Sequence, residues 1–142
     1  MRIVRFVLAV VLGLLAGSAV NMALVTLGPH FVAPPAGADV TTSEGLRAAL
    51  PMFAPRHFLF PFLAHALGTL SGALLATFIA PGRAAAPAGI IGGLFLCGGV
   101  ASVVMLPAPA WFSAVDLALA YLPMAWLGWR LASPGRAAIR PR

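Results

Sequence analysis

Apolar positions along this chain gather into four long runs instead of alternating with polar ones. The runs cover residues 6–27, 58–80, 88–106 and 111–129, and Asp116 in the fourth is the one charged side chain inside them. Each is close to the ~20 residues a helix needs to cross ~30 Å of hydrocarbon. The pattern therefore predicts an all-α fold, a four-helix transmembrane bundle with one longer outer loop at 28–57 and a short tail at 130–142. It leaves no room for a separate soluble domain, so residues 1–142 read as a single integral membrane domain.

The connections refine this picture. Pro29, Pro34, Pro35 and Gly37 open the long loop and resist regular structure. Thr41 with Glu44 three residues on has capping-box spacing, which predicts a short helix over 45–50 that Pro51 stops. Leu46, Leu50 and Phe53 would then lie against the outer membrane interface or over the bundle, with Glu44 and Arg47 toward water. Pro81-Gly82-Arg83 and Pro107-Ala108-Pro109 join spans two, three and four tightly enough to make them antiparallel neighbours. Trp111, Trp126, Trp129 and Arg130 sit where interfacial anchors belong. Small residues recur at four-residue spacing: Ala9, Gly13 and Gly17; Gly68, Gly72 and Ala76; Ala85, Gly89, Gly93, Cys97 and Ala101. Such stripes let helix backbones approach in lipid, so Gly13, Gly17, Gly68, Gly72, Gly89 and Gly93 are the expected packing residues, and one stripe is available to a homo-oligomer or a membrane protein partner.

Composition agrees with the runs, since 61% hydrophobic and 8% charged residues would leave a soluble domain without a solvated surface. The net charge of +6 raises nucleic acid as a partner, and its distribution argues against one. Arg2, Arg5, Arg83, Arg130, Arg136, Arg140 and Arg142 flank one side of the spans, while only Arg47 and Arg56 flank the other. That asymmetry places both termini in the cytoplasm of a multi-pass inner-membrane protein, with the basic rim beside anionic headgroups of the lipid bilayer. Arg2 and Arg5 ahead of an apolar stretch, with Ala16-Gly17-Ser18-Ala19 inside it, also resemble a signal peptide. The run of about 22 residues exceeds a normal signal core and reads as a span. Cys97, the single cysteine, rules out an intramolecular disulfide.

Candidate chemistry is confined to polar groups inside the membrane, each of which costs free energy in hydrocarbon unless paired or hydrated. At about 1.5 Å per residue, Asn21, His65 and Asp116 lie roughly 8–10 Å below the outer ends of their helices, on one level of the bundle. Ser102 lies nearer the surface, and Gly98 and Gly99 leave little bulk opposite. Helical direction places His65 with Gly68, Gly72 and Ala76, and Asn21 with Gly17, so both face the interior. Two readings stay open. His65 and Asp116 satisfy one another as polar glue with Asn21 on a backbone carbonyl, or the cluster forms an outward-accessible pocket for a ligand or a proton.

A metal or haem site would need more ligands. His57 and His65 are about 12 Å apart along a helix and cannot share an ion, and His30 with His57 at the outer edge is at most a loose contact. No phosphate loop or nucleophile elbow is present, so the residues assign no catalytic group and no cofactor.

The stretch Phe58-Leu59-Phe60-Pro61-Phe62-Leu63-Ala64-His65-Ala66-Leu67-Gly68-Thr69-Leu70, with Asp39-Val40-Thr41 before it and Met105-Leu106-Pro107 then Trp111-Phe112 after it, resembles a set of short uncharacterised four-span bacterial membrane proteins. In size and span count the chain is also similar to the DoxX-like proteins. The resemblance implies a bacterial inner membrane and no particular activity. The expected role is an accessory, assembly or binding component, with a small proton-linked transporter or quinone- or redox-linked protein as the alternative.

Overall fold

The computed structural model describes residues 1–133, so Arg136, Arg140 and Arg142 of the expected tail lie outside the described residues. The helices are α1 (Arg2–Phe31), α2 (Ser43–Ala49), α3 (Leu59–Ile79), α4 (Ala85–Met105), α5 (Ala110–Leu119) and α6 (Leu122–Ala132), with single 3₁₀ turns at Leu50–Met52, Pro55–Phe58 and Pro81–Arg83. Four segments are long and apolar enough to cross a membrane, the last being α5 and α6 taken together. The chain is an all-α, four-span membrane protein.

Two departures from the sequence reading fall at prolines. α1 does not stop at residue 27 but runs through Pro29 to Phe31, because only one hydrogen bond is lost there and Val32 N–H still reaches Gly28 O at 2.9 Å. The fourth span, read as one helix, breaks at Ala120 and Tyr121, where Tyr121 has φ −115° and ψ −82°. Pro123 follows two residues later, has no N–H for Leu119 O, and would drive its ring into that carbonyl in a continuous helix. The break turns Tyr121 inward.

α3 is the hub. It packs along α1, α6 and α4, while α4 also meets α6 and touches α1. The α1·α3 crossing is built on glycine pairs. A Cβ at Gly17 would lie 2.6 Å from Gly68 O, one at Gly68 2.9 Å from Gly17 O, and Gly13 and Gly72 face each other the same way at 2.7 Å. Backbones this close leave no space for a side chain. Arg5 Nε closes the crossing at its far end by donating to Ile79 O at 3.0 Å.

The stripe expected on α4 points elsewhere. A side chain at Gly89 or Gly93 would meet nothing within 4 Å, whereas Gly92 packs on Ala125 and Gly99 on the Tyr121 ring. Glycine lies on most sides of α4, so periodicity could not choose between the two faces, and the bulk of Tyr121 and Ala125 does. Trp126 is exposed with Arg130 over its ring at 5.5 Å, but Trp129 is drawn against the Ala73, Ala76, Ala88, Ile91 and Ala125 cluster.

The loop helix α2 starts at Ser43, two residues before the expected 45, and its cap is one residue beyond the Thr41 of the capping-box spacing. Thr42 is its cap, accepting from Gly45 N–H at 3.0 Å, while Thr41 serves Asp39 through its hydroxyl at 2.6 Å and its N–H at 2.8 Å. Leu50 joins Phe58 and Phe112 in a buried cluster, so this segment packs on the bundle. The Thr41 hydroxyl, and then the Thr41 N–H, hold the Asp39 carboxyl below its ordinary 3.8. A depressed carboxyl stabilises the turn above the unfolded value and loses that stabilisation as pH falls through the folded one. Hydrogen exchange over residues 39–49, corrected for intrinsic rates, should therefore show protection that is full at neutral pH and falls only once pH drops below 3.8. Protection that ignores pH, or an equal response in Asp39→Asn, would contradict this.

Candidate functional site

At the loop end of the bundle α3 and α5 bring two ionisable side chains into contact. His65 lies on the second turn of α3, on the side that also carries Gly68, Thr69 and Gly72, so the α3 packing face delivers it inward. Asp116 lies on α5 opposite it, and His65 Nδ1 stands 2.9 Å from both carboxylate oxygens. The Tyr121 hydroxyl, carried in by the break in span four, donates to Asp116 Oδ2 at 2.9 Å. Its ring stacks on His65 at 5.7 Å between centroids, and its hydroxyl edge fills the space that Gly99 leaves open.

Burial divides these roles. Asp116 is 2% exposed and Tyr121 1% exposed, whereas the His65 side chain keeps 24%. A carboxylate accepts and does not donate, so Nδ1 directs a hydrogen at Asp116, and with that single ring hydrogen placed there Nε2 has a lone pair with which to accept. Nε2 has no hydrogen bond among the described residues and is not sealed from its surroundings. Thr69 holds the backbone beneath by donating to His65 O at 2.8 Å.

The imidazole borders a cavity of about 210 Å³ whose polar boundary is His65, Asp116 and Ser102 and whose upper wall is Leu46, Leu50 and Phe53 of the loop. The remaining lining is apolar. Its volume is below the ~300–1,000 Å³ of pockets for drug-sized ligands, which sets an upper limit on what fits in it alone.

Of the residues singled out in the sequence, the structure joins His65 to Asp116 and sets Ser102 at the edge of the same cavity. Asn21 is separate. It is half-buried at the α1·α3 crossing, where Gly68 faces its Cβ and Cα, and it makes no hydrogen bond to the pair or to a backbone carbonyl among the described residues. His30 is exposed on the last turn of α1 and does not meet His57, which instead folds onto its own turn. Among the described residues no three His, Cys, Asp or Glu side chains converge as a metal site. Tyr121 was missed in the sequence. The signal was Pro123, a helix breaker two residues beyond the chain's single tyrosine.

Tyr121→Phe removes one hydrogen bond and keeps the ring. The variant should lose about 0.6 kcal/mol, and no more than about 1.7, the average and the maximum measured for side-chain hydrogen bonds between membrane helices, in a reversible unfolding assay. A neutral result would mean that the hydroxyl does not hold Asp116.

Fold and site together define a multi-pass helical membrane protein with a buried His-Asp-Tyr cluster beside a loop-covered cavity. No family model matches the chain, and neither a curated protein nor a solved structure matches it significantly.

Proposed function

We propose that this protein is a binding component of the bacterial inner membrane, whose cavity on the outer side takes a small, mostly apolar molecule bearing one hydroxyl. The arginine asymmetry supports the orientation, with the loop end outward. The observation that carries the reading is the His65 imidazole itself: Asp116 fixes its tautomer and leaves Nε2 as an acceptor at the wall of an apolar cavity. A hydrogen bond that orients a ligand within apolar walls is the usual construction of such sites.

The buried polar groups favour binding over proton transport. Toward the other end of α3 the Thr69 and Thr77 hydroxyls are spent on their own helix, on His65 O and Ala73 O, both at 2.8 Å. Glycine and alanine close the space between them, so the described residues offer the pair no polar relay through the bundle.

Phenol matches the required chemistry, with a ring of suitable size and one donor. Equilibrium binding of phenol to the protein in nanodiscs should be saturable, and His65→Phe, which keeps a ring of similar size but has no acceptor, should weaken it about tenfold. His65→Phe that folds normally and binds phenol as the wild type does would overturn the proposal.

A further inference from the structure

The end of the bundle away from the loop carries arginines with no acid beside them. The chain has three side-chain carboxylates, and none lies there: Asp39 and Glu44 belong to the loop, and Asp116 to the His65 cluster. Arg2 and Arg5 stand at the start of α1, and Arg83 in the turn between α3 and α4. Arg83 lays its guanidinium over the Phe78 ring at 5.4 Å. Arg2 makes no hydrogen bond or ion pair among the described residues.

Arg2 and Arg5 border a cavity of about 540 Å³ between the start of α1 and the Pro81-Gly82 turn, with Val4 and Leu8 as its apolar wall. That volume lies within the ~300–1,000 Å³ of ligand sites. Arg5 is held in place, because its Nε donates to Ile79 O at 3.0 Å, one of the last carbonyls of α3, which have no partner within their own helix. The guanidinium has further N–H groups in a planar fork that suits a phosphate, and no side-chain carboxylate is at hand to take them. Leu8 lies about 9 Å along α1 from Arg2, so the lining changes from charged to apolar with depth. A dissolved anion gains nothing from the deeper wall, whereas a lipid places its headgroup at one level and its chain at the other.

We infer that this cavity is a site for an anionic phospholipid, with the phosphodiester on Arg2 and Arg5 and the start of one acyl chain along Val4 and Leu8. The inference is independent of the His65 cavity, which lies at the opposite end of the bundle. It also goes beyond a basic rim: a rim depends on how many arginines stand near the headgroups, and a site depends on which ones do.

Arg2→Gln and Arg83→Gln remove the same charge from the same end, and only Arg2 borders the cavity. Native mass spectrometry of the full chain in a non-ionic detergent, titrated with phosphatidylglycerol, separates the two. The wild type should take up a single phosphatidylglycerol in preference to phosphatidylcholine. Arg2→Gln should weaken that binding about fivefold, the scale of one arginine at an anionic headgroup, while Arg83→Gln should leave it essentially unchanged. Inorganic phosphate in excess should not displace the bound lipid, because it has no chain to bury against Val4 and Leu8. Equal losses in the two variants would mean a diffuse basic rim and overturn the site. Displacement by inorganic phosphate would overturn it too, since the cavity would then take a free anion. The wild-type preference and the phosphate competition need no substitution, so uptake of phosphatidylcholine equal to that of phosphatidylglycerol overturns the proposal even if Arg2→Gln fails to fold.

Discussion

Gly17→Leu should abolish the folded bundle, while Gly93→Leu should leave it intact. Each replacement adds the same apolar atoms to a membrane helix, so hydropathy alone predicts no difference. At Gly17 the first added carbon would stand 2.6 Å from Gly68 O and 3.0 Å from the Phe95 ring. The first of these is backbone and cannot rotate away, so α1 must lift from α3 and the reciprocal Gly13 and Gly72 contact opens with it. Overpacking of a close-packed interior costs typically 1–3 kcal/mol when side chains can yield. Against a carbonyl in the longest interface of the molecule the cost should reach about 3 kcal/mol or more. At Gly93 nothing lies within 4 Å. The yield of monodisperse protein in mild detergent checks both variants, and equal yields would mean that the α1·α3 crossing is not the principal contact.

Asp116→Ala has the second-largest expected effect. The carboxylate accepts from His65 and from Tyr121 at 2.9 Å each, and its removal leaves two donors facing a small void at 2% exposure. Losing one partner of a buried charged network costs about 3–5 kcal/mol in water-soluble proteins. Hydrogen bonds between membrane helices are individually weaker, so about 2–3 kcal/mol is expected here. Asp116→Asn keeps an acceptor and the volume and should retain most of the stability. It releases the His65 tautomer, however, and phenol binding should fall in a protein that still folds. Destabilisation by Asp116→Ala together with unchanged binding in Asp116→Asn would reduce the cluster to structural glue.

The contrast between these variants shows what the sequence makes legible. Span number, loop length and the inward direction of His65 follow from runs and spacing, because the bilayer imposes helix length and α-helical geometry fixes direction. Gly13, Gly17, Gly68 and Gly72 were readable as packing residues because each lies on a helix whose glycines share a single face. Gly89 and Gly93 were misplaced because α4 carries glycine on several faces, and only the volume of Tyr121 and Ala125 chooses among them. Asn21 shared the depth of His65 but points across the α1·α3 crossing, a rotation of the kind that depth cannot report. The break at Ala120 and Tyr121 lay behind Pro123, whose effect depends on whether neighbours tolerate an interrupted helix. His57 reads from the sequence as an outer-edge partner of His30. Its buried Nε2 exists only because the loop packs over the bundle, a tertiary event with no local signature.

The tautomer of His65 tests the account most directly. Ring ¹⁵N spectra of histidine-labelled protein in nanodiscs at neutral pH should show His65 Nδ1 carrying its hydrogen and Nε2 bare, with Nε2 shifting on saturation with phenol. A bare Nδ1 with the hydrogen on Nε2, or an Nε2 resonance that phenol leaves in place, would contradict it.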